Sequence, residues 1–331
     1  MLKKKTVIFI IKACVSISLL AVIVINIDWQ TAFKNLKNAN LILLFLALLF
    51  NLAERLELTF KWNLLIRVRG LKISFGRLFL INSIGGFLGL FLPSSLGTDV
   101  IRGYYLIKNN SEKSISISSV FVDRLLGMFS LLSLCIISIF FAGKILSKYN
   151  IQLYIVLLSV LVVFSFILFQ RKETAKFLER ILNKTKHKKI IEKGIKLHSS
   201  ILEYKKYPNT LLLVFSLTLL VQITRILTYY FVALAFSISI PFIYFLLFIP
   251  LIMLVIMIPI TIGGLGVREG TFVAFFNLVG MSINNAVIIS FTSSFIDTLN
   301  TIILGGGAYL FYNSPGKKLK LLESKQNLSE S

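Results

Sequence analysis

The chain has 331 residues, 56% of them hydrophobic, and a mean hydropathy of +0.85. Several segments of about twenty residues carry almost no charge, which excludes a soluble globular protein and indicates a polytopic membrane protein. The formal net charge is +22, but the basic residues lie mainly in connections between apolar segments, so they report topology and do not indicate nucleic acid as a partner.

The first two apolar segments predict two membrane helices. Thr6 to Ile27 follows three lysines as a signal peptide would, but its apolar run is too long and no small-residue cleavage site follows, so we interpret it as a retained helix. A second helix is predicted from about Leu41 to Phe60. Near its end, Glu54, Arg55 and Glu57 either pair locally at the interface or face the bundle interior. The basic connection after this helix is typical of the cytoplasmic side, and the loop charges place both chain termini there.

The stretch after Leu78 is apolar and rich in glycine, and it is interrupted early. Pro93, Gly97, Asp99 and Arg102 follow after fewer apolar residues than a membrane span needs. Proline and glycine both disfavour an unbroken helix. The sequence therefore predicts a short or re-entrant segment with a break at this point.

The next helix is predicted from about Ser118 to Phe141, and it carries Asp123 and Arg124 close to its start. Because neighbours in a helix point about 100° apart, these two side chains cannot neutralise each other. Asp123 either meets an arginine of another segment or lies in an interfacial first turn, where the helix N-terminus favours a negative charge.

A basic connection separates the two halves of the chain. After a fifth apolar segment, Ile151 to Phe169, residues 170–207 carry twelve Lys or Arg against four Glu, which predicts a cytoplasmic connection. Apolar residues recur there at helical spacing, which is typical of amphipathic helices on an anionic membrane surface. We expect His187 and His198 on the solvated face, and no metal site is predicted.

The second half opens with a long helix, about Thr210 to Phe236, with Arg225 deep in an apolar run. Such an arginine is expected to face the protein interior and to have an acidic partner or bind an anion. A further helix follows Pro241, and a final helix, about Ala286 to Phe311, carries Asp297 near its middle.

The most unusual stretch lies between those two helices and reads IPITIGGLGVREG, from Ile258 to Gly270. Glycines remove side-chain cover from the backbone and Pro259 removes an amide donor, so we predict a second helix break. Broken backbone at membrane depth is tolerated only where it is packed in protein or lines a wet cavity. The stretch is therefore a candidate functional site; the alternative is an interfacial loop in which Arg268 and Glu269 cap the next helix.

The two breaks share one spacing. Proline, glycine and arginine recur as P-x3-G-x4-R from Pro93 and again from Pro259, 166 residues later. Transporters often arise by duplication, with discontinuous helices of the two halves meeting at the binding site. The spacing makes an internal duplication a candidate feature of the fold.

Three stretches carry a family resemblance: FLPSSLGTDVIR (Phe91 to Arg102), VDRLLGM (Val122 to Met128) and IPITIGGLGVREG. They resemble the flippase-like membrane family related to the transmembrane region of lysylphosphatidylglycerol synthases, and the resemblance covers about Leu41 to Phe311. Ser94 and Ser95 replace part of the glycine-rich turn, with an acid before the arginine, that is common in this family.

The resemblance implies translocation of an aminoacylated phospholipid, or of a related polar lipid or glycolipid, between leaflets. The synthases add a soluble domain that transfers an amino acid to the lipid, and this chain ends about twenty residues after its last predicted helix, so we expect no synthetase activity. A membrane-embedded transferase, or an accessory subunit for lipid or polyprenyl-linked glycan synthesis, is the alternative function.

The predicted fold is an all-α polytopic bundle of about 7–9 spans in the cell membrane. Residues 1–312 form the flippase-like domain, with 170–207 as its cytoplasmic connection, and 313–331 form a polar cytoplasmic tail. The expected partners are the bilayer, a phospholipid or glycolipid, and a separate lipid-modifying enzyme, with no cofactor. The candidate substrate-binding residues are Arg102, Asp123, Arg124, Arg225, Gly263, Gly264, Gly266, Arg268, Glu269 and Asp297, with Pro93, Gly97 and Pro259 as structural breaks.

Overall fold

The computed structural model describes residues 28–92, 97–108, 112–147, 188–258, 261 and 264–312, with isolated positions before residue 28 and between 150 and 160. Within these residues the regular structure is entirely helical, as an all-α bundle predicts. The helices are α1 (Trp29–Lys37), α2 (Leu41–Val68), α3 (Phe75–Gly89), α4 (Gly97–Lys108), α5 (Lys113–Ser147), α6 (Lys188–Leu202), a 3-10 turn (Glu203–Lys206), α7 (Pro208–Ala235), α8 (Phe242–Ile256), α9 (Val267–Asn277), α10 (Ile283–Asn300), a π-helical segment (Thr301–Gly306) and α11 (Gly307–Tyr312).

Three of the described helical stretches are long and apolar enough to cross a membrane: Lys113–Ser138 of α5, all of α7, and Ile283–Tyr312, which joins α10 to α11. Helices α3 and α8 are apolar but have only 15 residues each, whereas crossing the hydrocarbon core takes about 20. The apolar segments predicted at Thr6 to Ile27 and Ile151 to Phe169, and the polar tail, lie outside the described residues apart from isolated positions.

The two halves of the chain repeat one helical pattern. Helices α2 and α7 both have 28 residues and begin at positions 41 and 208, 167 residues apart. Helices α3 and α8 both have 15 residues and begin at 75 and 242, again 167 apart. A short helix follows in each half (α4 and α9), and then a long one (α5 and α10). The helix order therefore shows the duplication that the spacing of the two breaks suggested.

The repeats pack reciprocally and in opposite orientations. Helices α2 and α7 lie side by side and run antiparallel: the Asn40 amide at the start of α2 donates to the carbonyl of Ala235 at the end of α7, at 2.8 Å. Helix α5 of the first half packs on α8 of the second, while the π-helical end of the second half packs on α3 of the first. Because equivalent helices run antiparallel, the halves are inverted with respect to each other, which is a common arrangement in transporters.

Each half breaks between its second and third helices. After α8 the chain turns at Gly264 and Gly266, whose φ angles of +78° and +79° favour glycine. Gly97 opens α4 in the first half, and a Cβ there would lie 2.8 Å from the Leu92 Cβ. Pro93, Pro259 and Gly263 lie outside the described residues.

Two sequence-based expectations about local structure are wrong. Helix α5 begins at Lys113, so Asp123 lies almost three turns inside it and not in an interfacial first turn. The serines before Asp123 remain helical because their hydroxyls bond back to carbonyls of the preceding turn, as Ser119 does to Ser116.

The connection between the halves also differs from expectation. Leu197 and Ile201 of α6 pack against Leu65 of α2 and Val214 of α7, so its apolar face covers the end of the bundle. His198, expected on a solvated face, is buried as a result. His187 lies outside the described residues.

Candidate functional site: a charged cavity between the two halves

A cavity of about 420 Å³ lies where the two halves meet, and helices on both sides of each break contribute to its wall. Its lining includes six basic side chains and four acidic ones. They are Arg55, Lys61, Arg102, Arg124, Arg225 and Arg268, and Glu54, Asp99, Asp123 and Asp297. Charges removed from water are costly unless they are paired, so their partners decide what the cavity can bind.

The first charge cluster belongs entirely to the first half and centres on Asp123. One carboxylate oxygen accepts from Lys61 Nζ at 2.6 Å and the other from Arg102 Nη2 at 2.7 Å. Arg102 also lies 3.0 Å from Asp99, which accepts from Arg124 at 2.5 Å. Asp123 thus meets an arginine of another segment, one of the two alternatives that the sequence left open. Three cations share two carboxylates, which leaves this cluster with one excess positive charge.

The second cluster contains two ion pairs that cross between the halves. Arg225 of α7 donates from Nε at 3.0 Å and from Nη2 at 2.5 Å to Glu54 of α2. It also donates to Gln222 at 2.8 Å. Arg55 of α2 donates to Asp297 of α10 at 2.5 Å. Arg225 therefore has the interior acidic partner expected of it, and Glu54 and Arg55 face the bundle interior.

Arg268 differs from the other five cations. It donates from Nη1 to Ser294 Oγ at 3.0 Å, and it has no carboxylate within 4.0 Å in the described part of the chain. Its Nε is buried without an acceptor. Helix α9 starts directly before it, after the positive-φ glycines, and this backbone path carries the side chain into the cavity wall. Arg268 is thus a cation at the cavity that lacks a protein counter-charge.

Glu269, next to Arg268, has a different position. Its carboxylate accepts from the Gly266 amide at 2.7 Å and from Ser294 at 3.4 Å, and it caps the start of α9. Glu269 is buried but is not among the cavity-lining residues. Both interpretations of the IPITIGGLGVREG stretch thus describe part of it, since Glu269 has the capping role and Arg268 lines the cavity.

The structure brings six of the predicted site residues to the cavity wall: Arg102, Asp123, Arg124, Arg225, Arg268 and Asp297. Gly264 and Gly266 form the turn before α9. Sequence reasoning left Lys61 out of the site because it assigned this residue to a cytoplasmic connection. Helix α2 continues to Val68, and Lys61 lies two turns after Glu54 on the same face, a seven-residue spacing that would have identified it.

The donors and acceptors of the cavity define what it can do chemically. Guanidinium groups bind phosphate and carboxylate oxygens through parallel hydrogen bonds, and Arg268 is the cation with the fewest protein partners. Among the described residues, no group of three or more His, Cys, Asp or Glu side chains could hold a metal ion. The arrangement suits reversible binding of a polar or anionic group inside an apolar bundle.

Comparison with known proteins agrees with this architecture. Residues 9–305 match the family described as the lysylphosphatidylglycerol synthase TM region, and that range includes every cavity-lining residue. A UPF0104 membrane protein from Methanocaldococcus jannaschii is 27% identical over 235 residues, covering 68% of this chain and 93% of that protein. No solved structure gave a significant match. The chain belongs to the lysylphosphatidylglycerol synthase transmembrane-region family.

Proposed function

We propose that this protein translocates a lipid with a polar headgroup between the two leaflets of the membrane. The observation that carries the proposal is the position of the charged cavity. It lies between two inverted halves, at the helix breaks of both, within a bundle whose helices are otherwise apolar. Discontinuous helices in corresponding positions of inverted repeats are a frequent location of transporter binding sites.

The cavity lowers the main energetic barrier to lipid translocation. A polar headgroup that enters hydrocarbon loses its hydrogen bonds to water, at a cost of several kcal/mol for each unsatisfied group. Arg268 and the Asp123 cluster place charged hydrogen-bond donors inside the bundle, where they can replace that hydration. Because these charges are already held by the protein, no further reorganisation is needed when the headgroup arrives.

The contacts between the halves support a mechanism in which access alternates. Only two hydrogen-bonded ion pairs among the described residues join α2 to the second half, Glu54–Arg225 and Arg55–Asp297, and both lie at the cavity. An incoming phosphate competes for the same two arginines. Lipid binding is therefore coupled to the contacts that hold the halves together.

A vesicle assay tests the proposal. The purified protein is reconstituted into liposomes that contain a trace of phospholipid with a fluorescent acyl chain, and dithionite then reduces the label in the outer leaflet only. We expect the inner-leaflet label to become accessible faster than in protein-free liposomes. Wild-type protein that gives no acceleration with any phospholipid or glycolipid would refute translocation.

A matched pair of variants localises the activity. Arg268→Gln removes the unpaired cation and should slow exchange about tenfold or more, since a hydrogen bond to a charged group contributes roughly 1.5–3 kcal/mol. Arg67→Gln makes the same chemical change on an exposed side chain that does not line the cavity, and it should leave the rate unchanged. Equal rates for the two variants would show that exchange does not pass through this cavity.

A further inference from the structure

The carboxylates of the cavity wall are all engaged by protein cations. Glu54, Asp99, Asp123 and Asp297 each accept a hydrogen bond from an arginine or lysine at 2.5–2.7 Å. A headgroup ammonium has only donors to offer and needs such oxygens. To bind here, it would have to displace an arginine or lysine from a buried ion pair.

Two further acids lie close to the cavity but do not line it. Glu269 is occupied by the Gly266 amide and Ser294. Glu57 accepts from Thr224 at 3.0 Å through one oxygen, and its other oxygen is buried without a partner. Neither carboxylate is presented to the cavity as a free acceptor.

The cations of the cavity wall, in contrast, are in excess. Six basic and four acidic side chains line it, so the wall has a formal charge of +2. One excess charge belongs to the cluster of Lys61, Arg102 and Arg124, and the other is that of Arg268. A headgroup with a net negative charge reduces this imbalance, and a net positive one increases it.

The hydrogen-bond inventory points in the same direction. The Nε atoms of Arg55, Arg102 and Arg268 are buried and have no acceptor. All three residues line the cavity. This wall is short of acceptors and has donors to spare. A phosphate diester supplies acceptors only, so it complements the wall as an ammonium cannot.

We infer that the lipid taken by this cavity carries a net anionic headgroup, a phosphate without a neighbouring ammonium, in preference to a zwitterionic or cationic aminoacylated one. The inference rests on the proposed translocation and specifies its substrate class. It differs from the expectation drawn from the family resemblance, which put an aminoacylated phospholipid first.

The test compares three acyl-labelled lipids in identical liposomes: phosphatidylglycerol, phosphatidylethanolamine and aminoacylated phosphatidylglycerol. We expect phosphatidylglycerol to cross fastest and the aminoacylated lipid slowest, with about a tenfold difference between these extremes. Arg268→Gln should reduce that ratio, whereas Arg67→Gln should leave it unchanged. Equal rates for the three lipids, or faster movement of the aminoacylated one, would overturn the inference and leave translocation standing.

A binding measurement makes the inference independent of transport. Native mass spectrometry of protein incubated with equal amounts of the three lipids should find phosphatidylglycerol retained preferentially, and retained less by Arg268→Gln. If no lipid crosses the bilayer, translocation is refuted and retention alone decides the headgroup class. Equal retention of the three lipids, or a preference for the aminoacylated one, would overturn the anionic assignment.

Discussion

The Asp123 cluster offers a direct test of how the charges in this bundle are balanced. Asp123 is 4% exposed, and its two hydrogen-bonded partners, Lys61 and Arg102, are 3% and 5% exposed. Asp123→Asn preserves the size of the side chain but removes its charge. The variant leaves three cations, those two and Arg124, with Asp99 as their remaining carboxylate in the cluster.

The expected loss is large because the cations cannot easily reach water. Removing one partner of a buried ion pair typically costs about 3–5 kcal/mol, chiefly because the other charge is left uncompensated. Lys61 loses its ion-pair partner, while Arg102 keeps Asp99 at 3.0 Å and the face of Trp62 at 4.9 Å. We therefore expect Asp123→Asn to lower the free energy of unfolding by about 3 kcal/mol, the lower end of that range.

Titration from a mild detergent into sodium dodecyl sulfate, followed by tryptophan fluorescence, measures this loss. The chain has two tryptophans, Trp29 and Trp62, and the second reports on the cluster directly because Arg102 stacks on it. Adding Lys61→Met to Asp123→Asn returns the cluster to its original net charge and should recover more than half of the lost stability. A double variant no more stable than Asp123→Asn alone would refute the argument from charge balance.

Two further predictions concern packing around the site. Gly305→Ala should destabilise the protein by about 1–3 kcal/mol, because its Cβ would lie 2.4 Å from the Ser83 carbonyl oxygen, whereas Gly307→Ala, with nothing within 4 Å, should be neutral or slightly stabilising in the same unfolding titration. Tyr204→Phe removes the hydroxyl that donates to the Leu65 carbonyl at 3.2 Å, and it should cost about 1 kcal/mol in that titration while leaving lipid exchange unchanged; slowed exchange would mean that the connection between the halves takes part in transport.

The membrane bundle and many of its interior charges could be predicted from the sequence, because an apolar solvent restricts the choices severely. Arg225 lies in a 28-residue apolar helix, so an interior acidic partner was predictable from its position alone. The identity of that partner was not, because Glu54 lies 171 residues away and approaches Arg225 only through the antiparallel packing of α2 on α7.

Helix limits were the weaker part of the prediction. The charges of Lys61 and Asp123 looked like helix ends, since charged residues near an apolar run usually mark the membrane surface. In the folded protein each satisfies the other at 2.6 Å, so both helices continue past them. Local sequence could not reveal this, because either charge alone would be expelled from the bundle interior.

The shared P-x3-G-x4-R spacing pointed to the duplication, although its residues do not correspond in the fold. Arg102 is the sixth residue of α4, whereas Arg268 is the second residue of α9. The helices themselves give the alignment: equal lengths for α2 and α7 and for α3 and α8, with starts 167 residues apart. Duplication preserved the helix pattern, while the position of each arginine within its helix diverged.

This divergence explains how a duplicated scaffold became one asymmetric site. With α2 aligned on α7, Arg225 corresponds to Leu58, and with α5 aligned on α10, Asp297 corresponds to Gly127. All four residues line the cavity. The inverted halves therefore present the same helix faces to the cavity, but at these positions only one half carries a charge.

The distribution of ion pairs follows from this asymmetry. Glu54–Arg225 and Arg55–Asp297 join opposite halves, whereas the Asp123 cluster lies within one. A relative movement of the halves breaks the first kind of pair and carries the second along intact. If access alternates by such a movement, Glu54→Gln should change the rate of lipid exchange more than it changes stability, because Arg225 retains Gln222 at 2.8 Å. Asp123→Asn should do the reverse, and the ratio of the two effects, measured on the same preparations, decides whether the interface between the halves is the moving one.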